Sequence, residues 1–451
     1  MRDLAFTAVM LGLLPLAAAQ PFVGVLLWSW VSFMNPHQMM WGFASGVPWA
    51  LLVFGTTVLG CLLAREPRHL TVNAVTVLLA LFLVCITLTS LVAIVPPVRV
   101  WEKWEWVSKV LLGLLLTAAL LNSQRRIHAL VWLMVISIGF FGVKGGAFTL
   151  LTGGAHIVMG PPNSPIGDRN QLSVALLVAI PLMNYLRLQS RHRIVRQGLV
   201  AAMALTLFAA VGSQSRGALV GLAATAVFLW FRSPHKLLSG LAIAAGVGLA
   251  LWFMPESWWQ RMGTVETYEA DASAMGRVQI WKASLQIALA YPLAGAGFYS
   301  MYTREVLDIV APGTRPLAAH SIWLEVLGEH GFPTFFVWLG ILLAGVFYSL
   351  RIGALARGRP ELQWAADLAR MAQVSVVAYT TAGSFVSLSY WDFFWTLLVV
   401  LGATHGLVAA AARQPRAAEP VQAARAQQGW RVRTAGNASR PTVAGLGKPG
   451  P

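Results

Sequence analysis

Residues 71–95 read TVNAVTVLLALFLVCITLTSLVAIV, a stretch without one charged side chain. At about 1.5 Å per residue such a segment, wound as a helix, spans the roughly 30 Å hydrocarbon core of a bilayer. A helix on the surface of a soluble domain would confine its apolar residues to one stripe. Here they run without period, and the same pattern recurs at 4–34, 49–64, 106–121, 127–151, 172–188, 197–211, 217–231, 237–254, 321–350, 371–388 and 393–410. Several of these fall short of the roughly 20 residues of a full span, so their ends extend into the flanks. Charged residues make up 11% of the chain, about half the share usual in soluble domains. The expected fold is an all-α integral membrane protein with about twelve transmembrane helices.

Basic residues orient the runs, because cytoplasmic connections are enriched in Lys and Arg. Arg65 with Arg68, Arg125 with Arg126, Arg187 through Arg196, Arg232 with Lys236, Arg351 through Arg370, and Arg413 onward fall in alternate connections if 4–34 crosses once. That run is long enough for two helices, with Pro15 and Pro21 as breaks. One crossing, however, keeps the basic clusters on one side and both termini cytoplasmic. The formal charge of +16 is then topological and gives no sign of nucleic-acid binding. Four parts follow: a bundle over 1–254, a long external connection over 255–320, C-terminal helices over 321–411, and a basic, disordered tail over 412–451 near anionic headgroups. Cys61 and Cys85 form no metal or disulfide pattern, and no glycine loop for nucleotide phosphates occurs. No cofactor is expected.

External connections should lack basic residues, which makes the exceptions informative. Arg99 and Lys103 stand among Trp101, Trp104 and Trp106 and read as an interfacial belt. Arg169 has Asp168 beside it and is either an ion-pair partner or an anion ligand. Arg216 in GSQSRGAL has no acidic neighbour and opens a helix. Arg277 begins an amphipathic stretch that lies on or dips into the outer leaflet and ends in a flexible glycine turn, YPLAGAGF. Three guanidiniums on one face suit phosphate oxygens, and a phosphate beside a membrane suggests a lipid diphosphate.

His320 stands at the same level, where the long connection re-enters the membrane in PLAAHSIWLEVLGEHGF. The positive end of a helix disfavours imidazolium, leaving a neutral ring able to accept a proton. From spacing alone it is either a general base or a helix cap. Glu325 and Glu329 share a different face of the helix and point to contacts with neighbouring helices. His330 adjoins an expected kink at Gly331–Pro333.

Three segments carry a wider resemblance: SQSRGALVGL (213–222), GRVQIWKASLQIALAYPLAGAGF (276–298) and AHSIWLEVLGEHG (319–331). Their order and motifs resemble the O-antigen ligase and polymerase superfamily: an SRG turn, an Arg-x-x-x-Trp helix before Pro-x-x-Gly-x-Gly, then His followed by Leu-Glu and a glycine. Ser321 stands where that family commonly has asparagine. The first half, with PFVGVLLWSWVSFMNPHQMMWGFA, looks like the branch of exosortase-associated O-glycosylation ligases.

The resemblance implies a metal-independent, inverting glycosyltransferase of GT-C-like architecture at the periplasmic face of a bacterial inner membrane. Its donor would be a glycan on undecaprenyl diphosphate and its acceptor a hydroxyl of lipid A–core or a similar molecule. Arg216 and Arg277 would hold the diphosphate, with Arg169 as a third candidate and His320 as the base. Trp281, Ser321 and Glu325 would support them. A polymerase or protein O-oligosaccharyltransferase of the same superfamily is the near alternative, and a lipid-linked glycan transporter the non-enzymatic one.

Overall fold

In the computed structural model the described residues are 1–63, 72–233, 235–263 and 272–413, and among them the regular structure is helical with no strand. Arg65, Arg68 and the tail beyond Arg413 lie outside the described residues. The chain divides into a unit over Met1–Ala409 and a second over Ala410–Pro451, described only over 410–413. The helices are α1 (Arg2–Ala19), α2 (Pro21–Met34), α3 (Trp49–Leu63), α4 (Ala74–Leu91), α5 (Pro97–Leu120), α6 (Gln124–Leu151), α7 (Arg169–Gln189) and α8 (Arg193–Gly212). They continue with α9 (Arg216–Arg232), α10 (Lys236–Trp252), α11 (Glu256–Gly263), α12 (Ala272–Ala290), α13 (Arg304–Val310), α14 (Ile322–Leu355), α15 (Gln363–Gly383) and α16 (Asp392–Arg413). Seven of them, α1, α4, α6, α7, α8, α14 and α16, are long and apolar enough to cross a membrane.

Local signals start these helices. Asn73 and Thr76 form a reciprocal capping box on α4, and Ser123, Asp168 and Ser215 cap α6, α7 and α9 by accepting backbone N–H bonds. Small residues then let helices approach closely. Gly146 of α6 is so near α8 that a Cβ there would meet the Leu205 carbonyl oxygen at 2.0 Å.

The connections gather at two ends. At one, Val158 N–H donates to the Gly212 carbonyl at 3.2 Å, Ile94 N–H to Ala296 at 3.0 Å, and Gln171 Nε2 to Ser387 at 3.2 Å. At the other, Ala74 N–H meets Tyr348 Oη at 2.8 Å, Gln189 Nε2 meets Asp367 Oδ2 at 2.9 Å, and Arg126 lies over the Phe22 ring at 4.9 Å.

The first run does not cross once. Gln20 takes an extended conformation (φ −132°, ψ 90°), and Pro21, which has no N–H and restricts the residue before it, starts a new helix. The second helix folds back on the first. Asp3 Oδ1 accepts N–H bonds from Gly42 at 3.0 Å and Ala44 at 3.1 Å, and Phe6 packs on Trp30 and Trp49. The start of α1 therefore sits at the same end as the 35–48 connection, whereas the single-crossing reading placed them at opposite ends. An epitope fused before Met1 should be reached from the same membrane side as a cysteine at Asn163. A cysteine at Ser190 should react only from the other side. An epitope accessible together with position 190 would restore the single crossing.

Candidate functional site

The eight residues between α15 and α16, 384–391, hold the site end together. Tyr379 of α15 donates its hydroxyl to the Leu388 carbonyl at 2.8 Å, and the Ser389 carbonyl accepts the indole N–H of both Trp338 and Trp395. So fixed, the segment presents Ser387 in two directions. Its Oγ accepts the backbone N–H of His320 at 3.0 Å, and its carbonyl accepts Gln171 Nε2 at the start of α7. Ser384 Oγ accepts the Trp323 indole N–H at 2.8 Å. The Phe385 ring lies 6.2 Å from that of Trp281, and its Cβ stands where a side chain on Gly217 of α9 would be.

This segment thus brings the starts of α7, α9 and α14 and one face of α12 into one region. Arg169 and Arg216 are the first residues of α7 and α9, and both are half-buried. Arg277 is half-buried on α12, one turn before Trp281, whose indole N–H donates to the Ala319 carbonyl at 2.8 Å. Asp168 caps α7, accepting from the backbone and side-chain nitrogens of Asn170, each at 2.8 Å. Helix starts carry partial positive charge and unsatisfied N–H groups, so two of these guanidiniums add to sites already suited to anions.

His320 itself is half-buried with φ 46°, a left-handed conformation unusual for any residue but glycine. Such backbone strain persists where surrounding contacts over-determine it, and the bond to Ser387 is one of them. The helix-cap reading fails on position. Ser321 is the N-cap of α14 and makes no side-chain capping bond, while His320 precedes it. Among the described residues the imidazole has no hydrogen-bond partner. Burial holds its pKa below the ordinary 6.5, and the nearby Arg277 adds to that lowering against the pull of Asp168 and Glu325. The ring is neutral at neutral pH.

Lys103 corrects the sequence reading. It is 6% exposed and belongs to no belt. Its Nζ lies 3.1 Å from Glu325 Oε1 and 2.8 Å from Glu329 Oε1, bridging two carboxylates one turn apart on α14. Like charges at that spacing repel unless a cation lies between them. Glu329 also accepts the Tyr390 hydroxyl at 2.7 Å and the Tyr299 N–H at 2.9 Å, and Glu325 meets the Ser389 hydroxyl at 2.5 Å. Of the two cations, it is Arg99 that stays at the surface, over the Tyr299 ring at 5.8 Å.

The glycine turn is not flexible either. At Gly331 (φ 72°) α14 breaks, as the sequence leads one to expect, which frees carbonyls of its last turn. Ala296 and Gly297 donate N–H bonds to the carbonyls of Gly328 and Glu329 at 3.1 and 2.9 Å, and Phe332 N–H returns one to Pro292 at 2.9 Å. Gly295 has φ 61°, and a Cβ there would stand 2.5 Å from the Glu329 carbonyl carbon. The two motifs are therefore halves of one packing contact.

This is a multi-pass α-helical membrane protein whose chemistry-bearing side chains converge at one end of the bundle. Residues 201–339, which contain Arg216, Arg277, Trp281, His320, Ser321, Glu325 and Glu329, match the family model described as O-Antigen ligase, which supports the resemblance to the O-antigen ligase-like superfamily. Residues 1–191, with Lys103 and Arg169, match a family of unknown function (DUF5935). A search of curated protein sequences finds no match to this chain.

Removing the cation should expose the worth of the bridge. Lys103→Met leaves two buried carboxylates without a counter-charge and should cost about 3–5 kcal/mol, read as a fall in melting temperature in detergent. Combining it with Glu325→Gln and Glu329→Gln should restore much of the loss. An unrecovered triple variant would show that packing, not charge, holds this contact.

Proposed function

We propose that the protein transfers a glycan from undecaprenyl diphosphate to a hydroxyl acceptor such as lipid A–core, with inversion, and that the end bearing His320 faces the periplasm of a bacterial inner membrane. The observation that carries this reading is the neutral His320 ring, partner-free among the described residues, beside Arg277 and at the level where α7 and α9 begin with Arg169 and Arg216. The acceptor hydroxyl oxygen attacks the anomeric carbon, and the bond from that carbon to the diphosphate oxygen breaks as the new one forms. The proton passes to a ring nitrogen of His320, and the electron pair leaves with the diphosphate. Guanidinium forks bind the departing phosphate oxygens and take up the charge that develops there. The Arg-x-x-x-Trp spacing gives α12 two tasks. Trp281 fastens the helix to residue 319, and Arg277 is thereby held beside the base.

The alternatives within the superfamily, polymerisation of lipid-linked glycans or transfer to protein, use the same donor chemistry. Transport is less well supported, because a transport path would carry charged residues through mid-membrane. Lys103, Glu325 and Glu329 instead gather at the site end, beside the segment 384–391.

If His320 takes the proton, His320→Ala should lower transfer about 10²-fold or more, with His320→Gln recovering little, since an amide cannot accept a proton at neutral pH. The pH profile carries a sign. A lowered pKa keeps the ring neutral below pH 6.5, so activity should persist under mild acidification and fall only as pH drops through the lowered value. A wild-type profile failing above pH 6.5 would remove the base, as would an active glutamine variant.

The arginines give a separate outcome. Arg216→Lys and Arg277→Lys keep the charge but lose the planar fork, so each should impair transfer strongly while the protein still inserts and purifies. Near-wild-type transfer in both would leave the diphosphate clamp unsupported.

A further inference from the structure

A polar cavity of about 900 Å³ opens at the same end of the bundle, on a different flank from the His320 region. It lies between the start of α1, the turn after α2, α6 and the 152–168 connection, and none of these belongs to the O-antigen ligase segment. Its chemistry comes from Arg2, Gln38, Trp41, Phe140, Lys144 and Asn163, with no acidic side chain in its lining.

Two features of this cavity point to a ligand. Lys144 stands within α6, seven residues before Leu151, which is about 10 Å below the end of the helix. It forms no ion pair there, and its neighbours Phe140 and Val143 are apolar and exposed. A lysine within an apolar spanning helix is costly and marks a partner. Trp41 is 87% exposed, and its only ring contact is the Arg2 guanidinium at 4.9 Å among the described residues. The α1–α2 hairpin brings Arg2 there, and the bonds from Gly42 and Ala44 to Asp3 hold it in place.

Two cations on separate helices, amide side chains in the same lining and a largely exposed indole suit a particular kind of molecule. The cations bind phosphate oxygens by charge-assisted hydrogen bonds, the amides bind hydroxyls, and the indole packs against the apolar face of a sugar ring. The exposed apolar side chains of α6 beside Lys144 place the opening against lipid. We propose that this cavity binds the phosphorylated saccharide headgroup of a membrane-anchored glycolipid, which serves as the hydroxyl acceptor. This rests on the glycosyl-transfer reading above. The 152–168 connection links the two places: Asn163 lines the cavity, and Asp168, five residues on, acts electrostatically on His320.

Binding can be measured without turnover, by native mass spectrometry of the full chain in detergent with bis-phosphorylated lipid A as probe. Wild-type protein should retain one lipid, and the fully dephosphorylated form should be retained far less. Lys144→Gln and Trp41→Ala should each weaken retention about tenfold, the scale of one lost charge-assisted hydrogen bond or contact. Lys144→Arg should keep retention and guards against a folding artefact, and Arg277→Lys should leave it unchanged. In turnover, Lys144→Gln should raise the acceptor KM with kcat held. Equal retention by wild type and Lys144→Gln, or of both lipid forms, would overturn the site. Displacement of the lipid by glucosamine 1-phosphate at matched concentration would overturn the lipid-anchored source in favour of a soluble sugar phosphate. Lys144-dependent retention by a wild-type protein that transfers from no lipid diphosphate would keep the cavity and reject the transfer reading.

Discussion

A single ammonium group between two carboxylates fixes the geometry of the site end. Glu325 and Glu329 occupy successive turns of the first part of α14, and without Lys103 they would repel within a water-poor contact. With it, α5 is tied to α14 across 222 positions of sequence. The remaining lone pairs are met by Ser389, Tyr390 and the Tyr299 N–H, so the network has few unsatisfied groups and correspondingly little freedom. The short helix carrying it begins one residue after the N-cap that follows His320. A rotation of that helix would move the histidine.

The break at Gly331 makes this arrangement possible. A straight helix over all of 322–355 would extend about 50 Å, longer than a bilayer's hydrocarbon core requires. Interrupting it leaves a separate initial piece whose exposed carbonyls are satisfied by the glycine turn after α12. That turn in turn sets the position of α12, and so of Arg277 and Trp281. Broken helices near a membrane surface recur where backbone groups must be satisfied within the protein rather than by lipid. Here the satisfaction comes from a segment that also carries a candidate ligand for phosphate.

Much of this was legible in the chain. Uninterrupted apolar runs force helices, because a backbone in hydrocarbon must satisfy its own hydrogen bonds. Glycine followed by Pro333 marks the break in α14, and the alternation of connections assigns Arg216, Arg277 and His320 to one side. These signals are local or follow from the alternation of connections between two sides.

The contacts that make those residues a site are not local. Lys103 looks like a member of an aromatic belt until α14 is folded beside it, because nothing in its neighbourhood names a partner so far along the chain. The residues 384–391 are short, lack basic side chains and carry no motif, yet they hold His320, the start of α7 and the face of α12 together. The first run shows the same limit: Pro21 announces a break, but only packing against α3 decides that the chain turns back. Sequence alone determined the helices, their breaks and the residue types available for phosphate and proton chemistry, since each depends on a few consecutive positions. Tertiary structure decided which buried charges pair and on which end the N-terminus lies, because those outcomes depend on desolvation and packing between segments distant in the chain.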